Sequence, residues 1–429
     1  MSYLAWVNSL PKSWEAKPLR AMADYVVSNV DKVPGNDEAP IRLCNYTDVY
    51  NNEFITLALN FMHATATEDE IAKFGLQVDD VIITKDSESW DDIGVPALVR
   101  ETADDLVCGY HLALLRPRHE RIAGTFLLRC LQAKAIRVQL EIAANGVTRF
   151  GLPKSDIGAI KLPVPPLPQQ RAIGDYLDRE TARLDALVAA KERLLVLLAE
   201  KRRALITSAV TRGLDPHAPL RDSGIPWLGE IPAHWEVRKI AWLFCERDRR
   251  GEPDLPLLEV SINSGVVLRE FSEERIESTA ADFNSYKVAR RGDVVFNKMR
   301  MWQGAVGIAP EDGLVSPDYV VAAPTGSLSS AYASLLFRTS AFSAECARHS
   351  HGIVWDRLRL YWEGFRDIKV PLPSAEEQTA IGDYIAAKVG KLDDLTASTE
   401  RTIALLKERR AALVAAAVTG QIDIREVTA

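Results

Sequence analysis

The chain has 429 residues, 47% of them hydrophobic and 26% charged, with a formal net charge of −7. The length exceeds one ordinary core and suggests two or three domains, and the composition excludes a disordered chain. No run of roughly 18 apolar residues offers a membrane helix, and the net acidity excludes a simple basic nucleic-acid binder.

The opening stretch, MSYLAWVNSLPKSWEAK, has no basic segment followed by an apolar one, so no secretory signal is expected. Cys44, Cys108, Cys130, Cys245 and Cys346 are scattered without a CxxC pair, as in a reduced, cytoplasmic protein. Residues 1–159 read as a first globule. Its strand-like run is DVIITKD at 80–86, and the stretch 122–144 reads as one helix apolar enough to be core. Its candidate polar contacts are Lys85, Ser87, Arg116, Arg118, His119, Arg121 and Arg149. The run 116–121 reads equally well as a strand-to-helix turn.

Residues 160–215 read as a long helix. Pro163 and Pro165 fix an extended entry, and Pro168 falls near the first turn, where proline is tolerated. Ile173, Leu177, Leu184, Val188, Leu195, Leu198, Leu205 and Ala209 recur at steps of 3, 4 and 7, the spacing of a coiled-coil seam. Only this segment carries more basic than acidic residues among those up to 367.

Residues 216–367 read as a linker and second globule. The apolar run 294–296 reads as a strand, followed by a loop at 297–304. There Asn297 is polar, Lys298 and Arg300 suit phosphate or guanine, and Gln303 suits adenine. The other reading is a solvated loop around a buried Trp302. Arg348, His349 and His351 precede Gly352 and form a polar, DNA-facing loop or a plain surface turn. HxH without a carboxylate or cysteine cluster does not make a metal site. Arg357 and Arg359 suit phosphate contact or simple solvation.

Residues 368–429 form a second long helix. Ser374 and Glu377 have capping-box spacing. Its seam is Ile381, Ile385, Val389, Leu392, Ile403, Leu406, Leu413 and Ala417.

The two helical segments are copies. AIGDY stands at 172–176 and again at 380–384. Residues 160–215 align with 368–423 without a gap, and about 26 positions are identical. Weaker anchors extend the match: Trp14-Glu15 with Trp235-Glu236, Asp80-Val81 with Asp293-Val294, and Leu128-Arg129 with Phe337-Arg338. The chain reads as globule, helix, globule, helix. Antiparallel packing of the two helices needs no long return of the chain and relates the globules by a pseudo-two-fold axis. DNA and its palindromic sites have such an axis.

Enzyme motifs fail. Pro253-Asp254 and Glu259 resemble a PD…ExK nuclease site, but Ser261 stands where its lysine is needed. No amide-methylation NPP(Y/F), phosphate loop or HExxH occurs.

The repeated Pro-x-Pro…Gln…AIGDY…LD…ER…AVT segment resembles the conserved regions of the specificity subunit of type I restriction–modification systems. So do IPWLGEIPAHW at 225–235, GDVVFNKMRMWQGAVG at 292–307 and SPDY at 316–319, which resemble a target recognition domain. The resemblance implies a mixed α/β fold. Two target recognition domains (1–159, and 216–367 with its linker) are joined by two long antiparallel helices (160–215, 368–429) forming a coiled coil. It implies a non-catalytic subunit whose globules each read half of a bipartite double-stranded DNA target. The helices set the spacer and dock modification (methyltransferase) subunits, two by the repeat, and a restriction subunit (an ATP-dependent translocase/endonuclease) joins them. S-adenosylmethionine, ATP and Mg would sit on those partners and no cofactor on this chain. The expected docking or structural positions are Gln170, Ile173, Gly174, Tyr176 and Arg202, with Gln378, Ile381, Gly382, Tyr384 and Arg410. In these sets Ile and Tyr pack at the joint of helix and globule, and both glycines permit close approach. The seam arginines either lay their stems along the helix pair or meet an acidic group on another chain. The alternative to the whole reading is a non-DNA coiled-coil scaffold with two interaction globules.

Overall fold

The computed structural model describes residues 5–33, 35, 38–269, 283–352 and 358–422. They form two compact units, one of Met1–Glu192 with Glu400–Ala429 and one of Arg193–Thr399. Each unit thus contains one domain and a part of both long helices.

In the first unit the strands are β1 (Glu15–Pro18), β2 (Ala23–Val27), β3 (Ala39–Cys44), β4 (Phe54–Ile55), β5 (Met62–Ala66), β6 (Val81–Thr84), β7 (Asp86–Ser87), β8 (Pro96–Val99), β9 (Leu106–Cys108), β10 (Leu112–Pro117), β11 (Phe150–Gly151) and β12 (Lys161–Val164). The helices are α1 (Tyr46–Asn51), α2 (Glu68–Phe74), α3 (Gly124–Gln132), α4 (Lys134–Ala143), α5 (Lys154–Ala159) and the long α6 (Leu167–Arg212). A five-stranded sheet runs β2-β10-β6-β8-β4, beside a three-stranded sheet β5-β3-β9.

Within the run at 80–86, Val81, Ile82 and Ile83 are continuously apolar because both faces of β6 are covered. Val81 and Ile83 pack toward α3 and α4 with Phe126 and Leu127, while Ile82 packs with Ile41, Leu43 and Phe74. The single helix expected at 122–144 is two. Ala133 is extended (φ −69°, ψ 118°) and ends α3 while starting α4. A straight helix of that length would run about 35 Å. The break lets Phe126 and Leu131 of α3 and Ile136 and Leu140 of α4 enter one core.

In the second unit the strands are β13 (Leu220–Asp222), β14 (Glu230–Pro232), β15 (Glu236–Lys239), β16 (Phe244–Glu246), β17 (Leu258–Ser261), β18 (Gly265–Leu268), β19 (Lys287–Ala289), β20 (Val294–Asn297), β21 (Val306–Ile308), β22 (Gly313–Val315), β23 (Tyr319–Pro324) and β24 (Lys369–Leu372). The helices are α7 (Ser330–Phe337), α8 (Ser340–Arg348), α9 (Trp362–Arg366) and the long α10 (Ala375–Val418). An antiparallel sheet runs β16-β23-β20-β21. β20 repeats the two-faced burial of β6: Val294 and Phe296 enter one core cluster and Val295 another.

The caps of the helical hairpins correct one sequence match. Ala123 and Ser329 precede α3 and α7, and Ala133 and Thr339 precede α4 and α8. Arg338 therefore stands opposite Gln132, and Leu335, not Arg338, stands opposite Arg129.

Both long helices have physical start and stop signals. Pro168 occupies the first turn of α6, where its missing N–H would be unpaired anyway. At α10 the Glu377 N–H donates to Ser374 Oγ and the Ser374 N–H to Glu377 Oε2, each at 3.2 Å. Left-handed Gly213 (φ 76°) and Gly420 (φ 72°) follow their ends.

Within the first unit, Ile173 and Leu177 of α6 share a core with Val414, Ala417 and Val418 of α10. Arg410 Nε lies 2.9 Å from Asp185, and Lys407 Nζ 3.3 Å from Glu192. Numbers rise on one helix as they fall on the other, so the segments pack antiparallel. Within the second unit, Ala209 and Val210 of α6 share a core with Ile381 and Ile385 of α10, and Arg202 lies 3.7 Å from Asp393. At the repeat's offset, Arg202 corresponds to Arg410 and Asp185 to Asp393. The same ion pair is thus made once in each unit, with the helices exchanging roles. All the expected seam positions are buried or half-buried.

Candidate nucleic-acid interface

Each domain is attached to its helix by the same three devices. β1 pairs with β12 and β15 with β24, so each domain begins and ends in one antiparallel ribbon. The Trp14 indole N–H donates to Gln169 at 3.2 Å, and that of Trp235 to Glu377 at 3.1 Å. The third device is a glutamine. Buried Gln170 donates to the carbonyls of Arg121 and Pro165 and accepts the Ala123 N–H. Buried Gln378 donates to the carbonyls of Ser327 and Pro373 and accepts the Ser329 N–H. Every polar atom of each amide is used, as burial requires.

The identical AIGDY pentapeptides differ in surroundings. Ile173 and Ile381 are both buried, and Tyr176 is half-buried against its core, but Tyr384 is 39% exposed. A Cβ at Gly174 would lie 2.8 Å from Thr125 Oγ1, whereas one at Gly382 meets nothing within 4 Å. The expectation of close approach therefore fails at Gly382, and Tyr384 is not packed into the joint as Tyr176 is. The physical reason is that Ala331 stands where Thr125 does, leaving α10 without that neighbour.

In the first domain the structure brings Lys85, Ser87 and Arg149 together. β11 pairs with β7, placing Phe150 opposite Ser87. Lys85 Nζ lies 2.6 Å from Asp86, His111 Nδ1 lies 2.5 Å from the other Asp86 oxygen, and Arg149 lies 3.2 Å from His111 Nε2. Burial raises the Asp86 carboxyl, but the hydrogen bonds from Lys85 and His111 outweigh it and hold the group below its ordinary range. Ser87 is buried, and its hydroxyl accepts the Ser89 N–H. Tyr46 stacks on Tyr50 close by, with burial raising its phenol and Ser87 partly offsetting that.

Nothing in the local sequence marked His111. It is held at φ 70°, a left-handed backbone uncommon outside glycine, and its ring lies 3.8 Å from that of Tyr110. Arg116 and Arg118 stand apart from this cluster. Arg116 is paired with buried Asp80 and the Gly75 carbonyl, and Arg118 with Asp24. His119 faces Asp79 at 3.4 Å, and Arg121 donates to the Ala21 carbonyl.

In the second domain β20 ends in Asn297, whose side chain accepts the Met299 N–H and folds the following turn. Buried Met301 anchors a 3₁₀ turn at Met301–Gln303, leaving Arg300 and Gln303 exposed and Trp302 half-buried. The Lys298 carbonyl accepts the Leu360 N–H, and its ammonium lies over the Tyr361 ring and donates to Pro317. His351 and Arg359 pair through both backbone groups and are exposed. The signature loop and the segment around 359 thus meet at Lys298. Arg348 and His349 both face Glu345. Arg357 lies outside the described residues. Among the described residues, no group of three His, Cys, Asp or Glu could hold a metal ion.

At the joint of the first unit, fully buried Arg129 lies 2.7 Å from both Glu53 and Asp178. Arg410 also pairs with Glu53, and Arg100 with Asp178. Burial would lower the Arg410 guanidinium, but Glu53 and Asp185 raise it on balance.

Residues 32–195 match the family described as Type I restriction modification DNA specificity domain. The chain is 20% identical to the type I restriction enzyme EcoKI specificity subunit of Escherichia coli K12, over 97% of this chain and 90% of that one. The chain is thus similar to the specificity subunits of type I restriction–modification systems. A second relative, the putative MjaX specificity subunit of Methanocaldococcus jannaschii, is 24% identical over 54% of this chain, a match spanning about half (52%) of that relative's length. The specificity-subunit fold also matches solved structures. The HsdS subunit of Thermoanaerobacter tengcongensis is matched at TM-score 0.55 and 17% identity, over 96% of this chain and 98% of that one. A chain from a structural study of type I R-M complex assembly and conformational transition is matched at TM-score 0.64 and 17% identity, over 96% and 99%.

Proposed function

We propose that each domain of this specificity subunit reads one half of a bipartite DNA target, while the helix pair sets the unread spacer and docks modification subunits. The observation that carries the reading is the duplicated attachment. Ribbon, indole and buried glutamine couple each domain rigidly to a helix, and the Arg–Asp pair locks the two helices in both units. A domain so coupled transmits helix length into half-site position. At about 1.5 Å per residue, the 46 residues of α6 correspond to some 69 Å.

Base and phosphate contacts would come from Lys85, His111 and Arg149 in the first domain and from Lys298, Arg300, Gln303 and Arg359 in the second. The chain supplies recognition. Methyl transfer from S-adenosylmethionine belongs to the modification subunits, and ATP- and Mg-dependent work to a restriction subunit. Docking is supported by a repeated exposure. Leu187 and Leu197 of α6 are 44% and 60% exposed, and their repeat counterparts Leu395 and Leu405 of α10 are 46% and 63% exposed. Apolar groups left outside the seam at the same positions of both copies suit a protein partner.

The test is a seven-residue insertion in α6, near residue 193, with methylation mapped genome-wide. The expected outcome is unchanged half-sites with an altered spacer, or loss of methylation. An unchanged methylated sequence would refute the spacer role. Full retention of methylation in cells lacking this chain would favour a scaffold instead.

A further inference from the structure

The two seam arginines live in different electrostatic surroundings. Arg410 meets two carboxylates of its own unit, Glu53 and Asp185, and Glu53 links it to Arg129. Its counterpart Arg202 meets, among the described residues, one carboxylate, Asp393, at 3.7 Å and with both side chains about half exposed. Asp178, which holds Arg129 in the first unit, corresponds to Ala386 in the second.

Beside Arg202 the second unit has a cavity of about 630 Å³. Three arginines line it, Arg202 and Arg203 from α6 and Arg338 from the α7–α8 turn, and no acidic residue does so among the described residues. Thr207, Ser334 and Ser343 add hydroxyl groups to its wall. Thr339 and Ser340 line it too, so the first turn of α8 adds the positive end of a helix. Arg338 donates to the backbone carbonyls of Ile262 and Asn263, at 2.8 and 2.6 Å, and makes no ion pair among the described residues. Burial, and then the nearness of Arg202, lower its guanidinium from the ordinary range. The cavity is therefore cationic and partly apolar, and among the described residues no acidic side chain lines it.

We propose that this cavity receives an Asp or Glu side chain of a modification subunit docked on the second unit, in the part that Glu53 plays in the first. The inference rests on the docking reading above and names its chemistry. A carboxylate fits better than a DNA phosphate. A backbone contact repeated at both half-sites would repeat its cations, but in the first unit Ala411 and Gln132 stand where Arg203 and Arg338 do. Ile206, Leu335 and Ala344 also give the wall an apolar part suited to a side-chain stem.

The test uses the full-length chain and the modification subunit of the same system. Binding is titrated for the wild-type chain, R338E and R338K. R338E is expected to weaken modification-subunit binding by about tenfold or more, since it places like charges together in a partly desolvated site. R338E also loses the donors to the Ile262 and Asn263 carbonyls. R338Q, which loses the charge without adding a like one, is therefore titrated beside it, and all thermal midpoints are recorded. Partner binding should fall in R338Q too, but less than in R338E. R338K should keep most of the affinity. Carbodiimide coupling of the R338K complex should then join position 338 to an Asp or Glu of the modification subunit, identified by mass spectrometry. Equal binding of wild type and R338E would overturn the inference. So would coupling to this chain's own Glu273, Glu274 or Glu277. A loss of duplex DNA affinity by R338E with partner affinity unchanged would overturn it as well, marking a phosphate site. If the wild-type chain binds no modification subunit, the docking reading falls and takes this inference with it; R338E failing alone spares that reading.

Discussion

Identical residues do different physical work where their neighbours differ, and the two AIGDY glycines show it. Both sit inside long helices, where glycine is roughly 1 kcal/mol less favourable than alanine. At Gly382 a methyl group meets open space, so G382A should stabilise the protein by about 0.5–1 kcal/mol. At Gly174 the same methyl would press on Thr125, 2.8 Å from its Oγ1 and 3.2 Å from its Cβ. G174A should therefore give a lower denaturation midpoint than G382A, and one no higher than wild type. Urea titrations of the two variants check this. The glutamines two residues before each pentapeptide make the opposite point. Gln170 and Gln378 share surroundings as well as identity, and each amide ties the same three backbone groups.

At the scale of elements, the seam was legible in the sequence because a 3-4-7 spacing reports one helix face directly. The capping box of α10 and the proline of α6 were legible for the same reason, since local backbone chemistry decides them. The break at Ala133 was not. No glycine or proline marks it, and only the need to bury two apolar faces in one core turns the chain there. The leucines outside the seam also needed a structure, because a helical wheel does not say which face remains uncovered. Their test follows from that exposure. L187D and L395D should each leave the unfolding free energy within about 0.5 kcal/mol of wild type, as surface substitutions do. Together they should weaken co-purification of the modification subunit. An unchanged yield of partner would exclude this face from docking.

For the whole molecule, charge limits what the chain does alone. A net charge of −7 gives little counterion release on duplex DNA, so tight binding by the isolated chain is not expected. Addition of modification subunits should raise the affinity and steepen its salt dependence. Mobility-shift titrations at several salt concentrations check both, and tight specific binding by the chain alone would contradict the expectation.

The sequence by itself determined the duplication, the two long helices and the positions of the seam. Each of these is written in local spacing or in direct repetition. Only the tertiary structure decided which candidates act together. Arg116 and Arg118 lie in a basic run, yet the carboxylates of Asp80 and Asp24, remote in sequence, already hold them. Lys85 and Arg149 are far apart in the chain, and Asp86 and His111 join them. Arg202 and Arg410 are the same residue in two copies of one helix. Glu53, more than three hundred positions from Arg410, neutralises one of them, and the other keeps a cavity beside it. Charge balance at such sites depends on contacts between distant segments, which composition and periodicity do not encode.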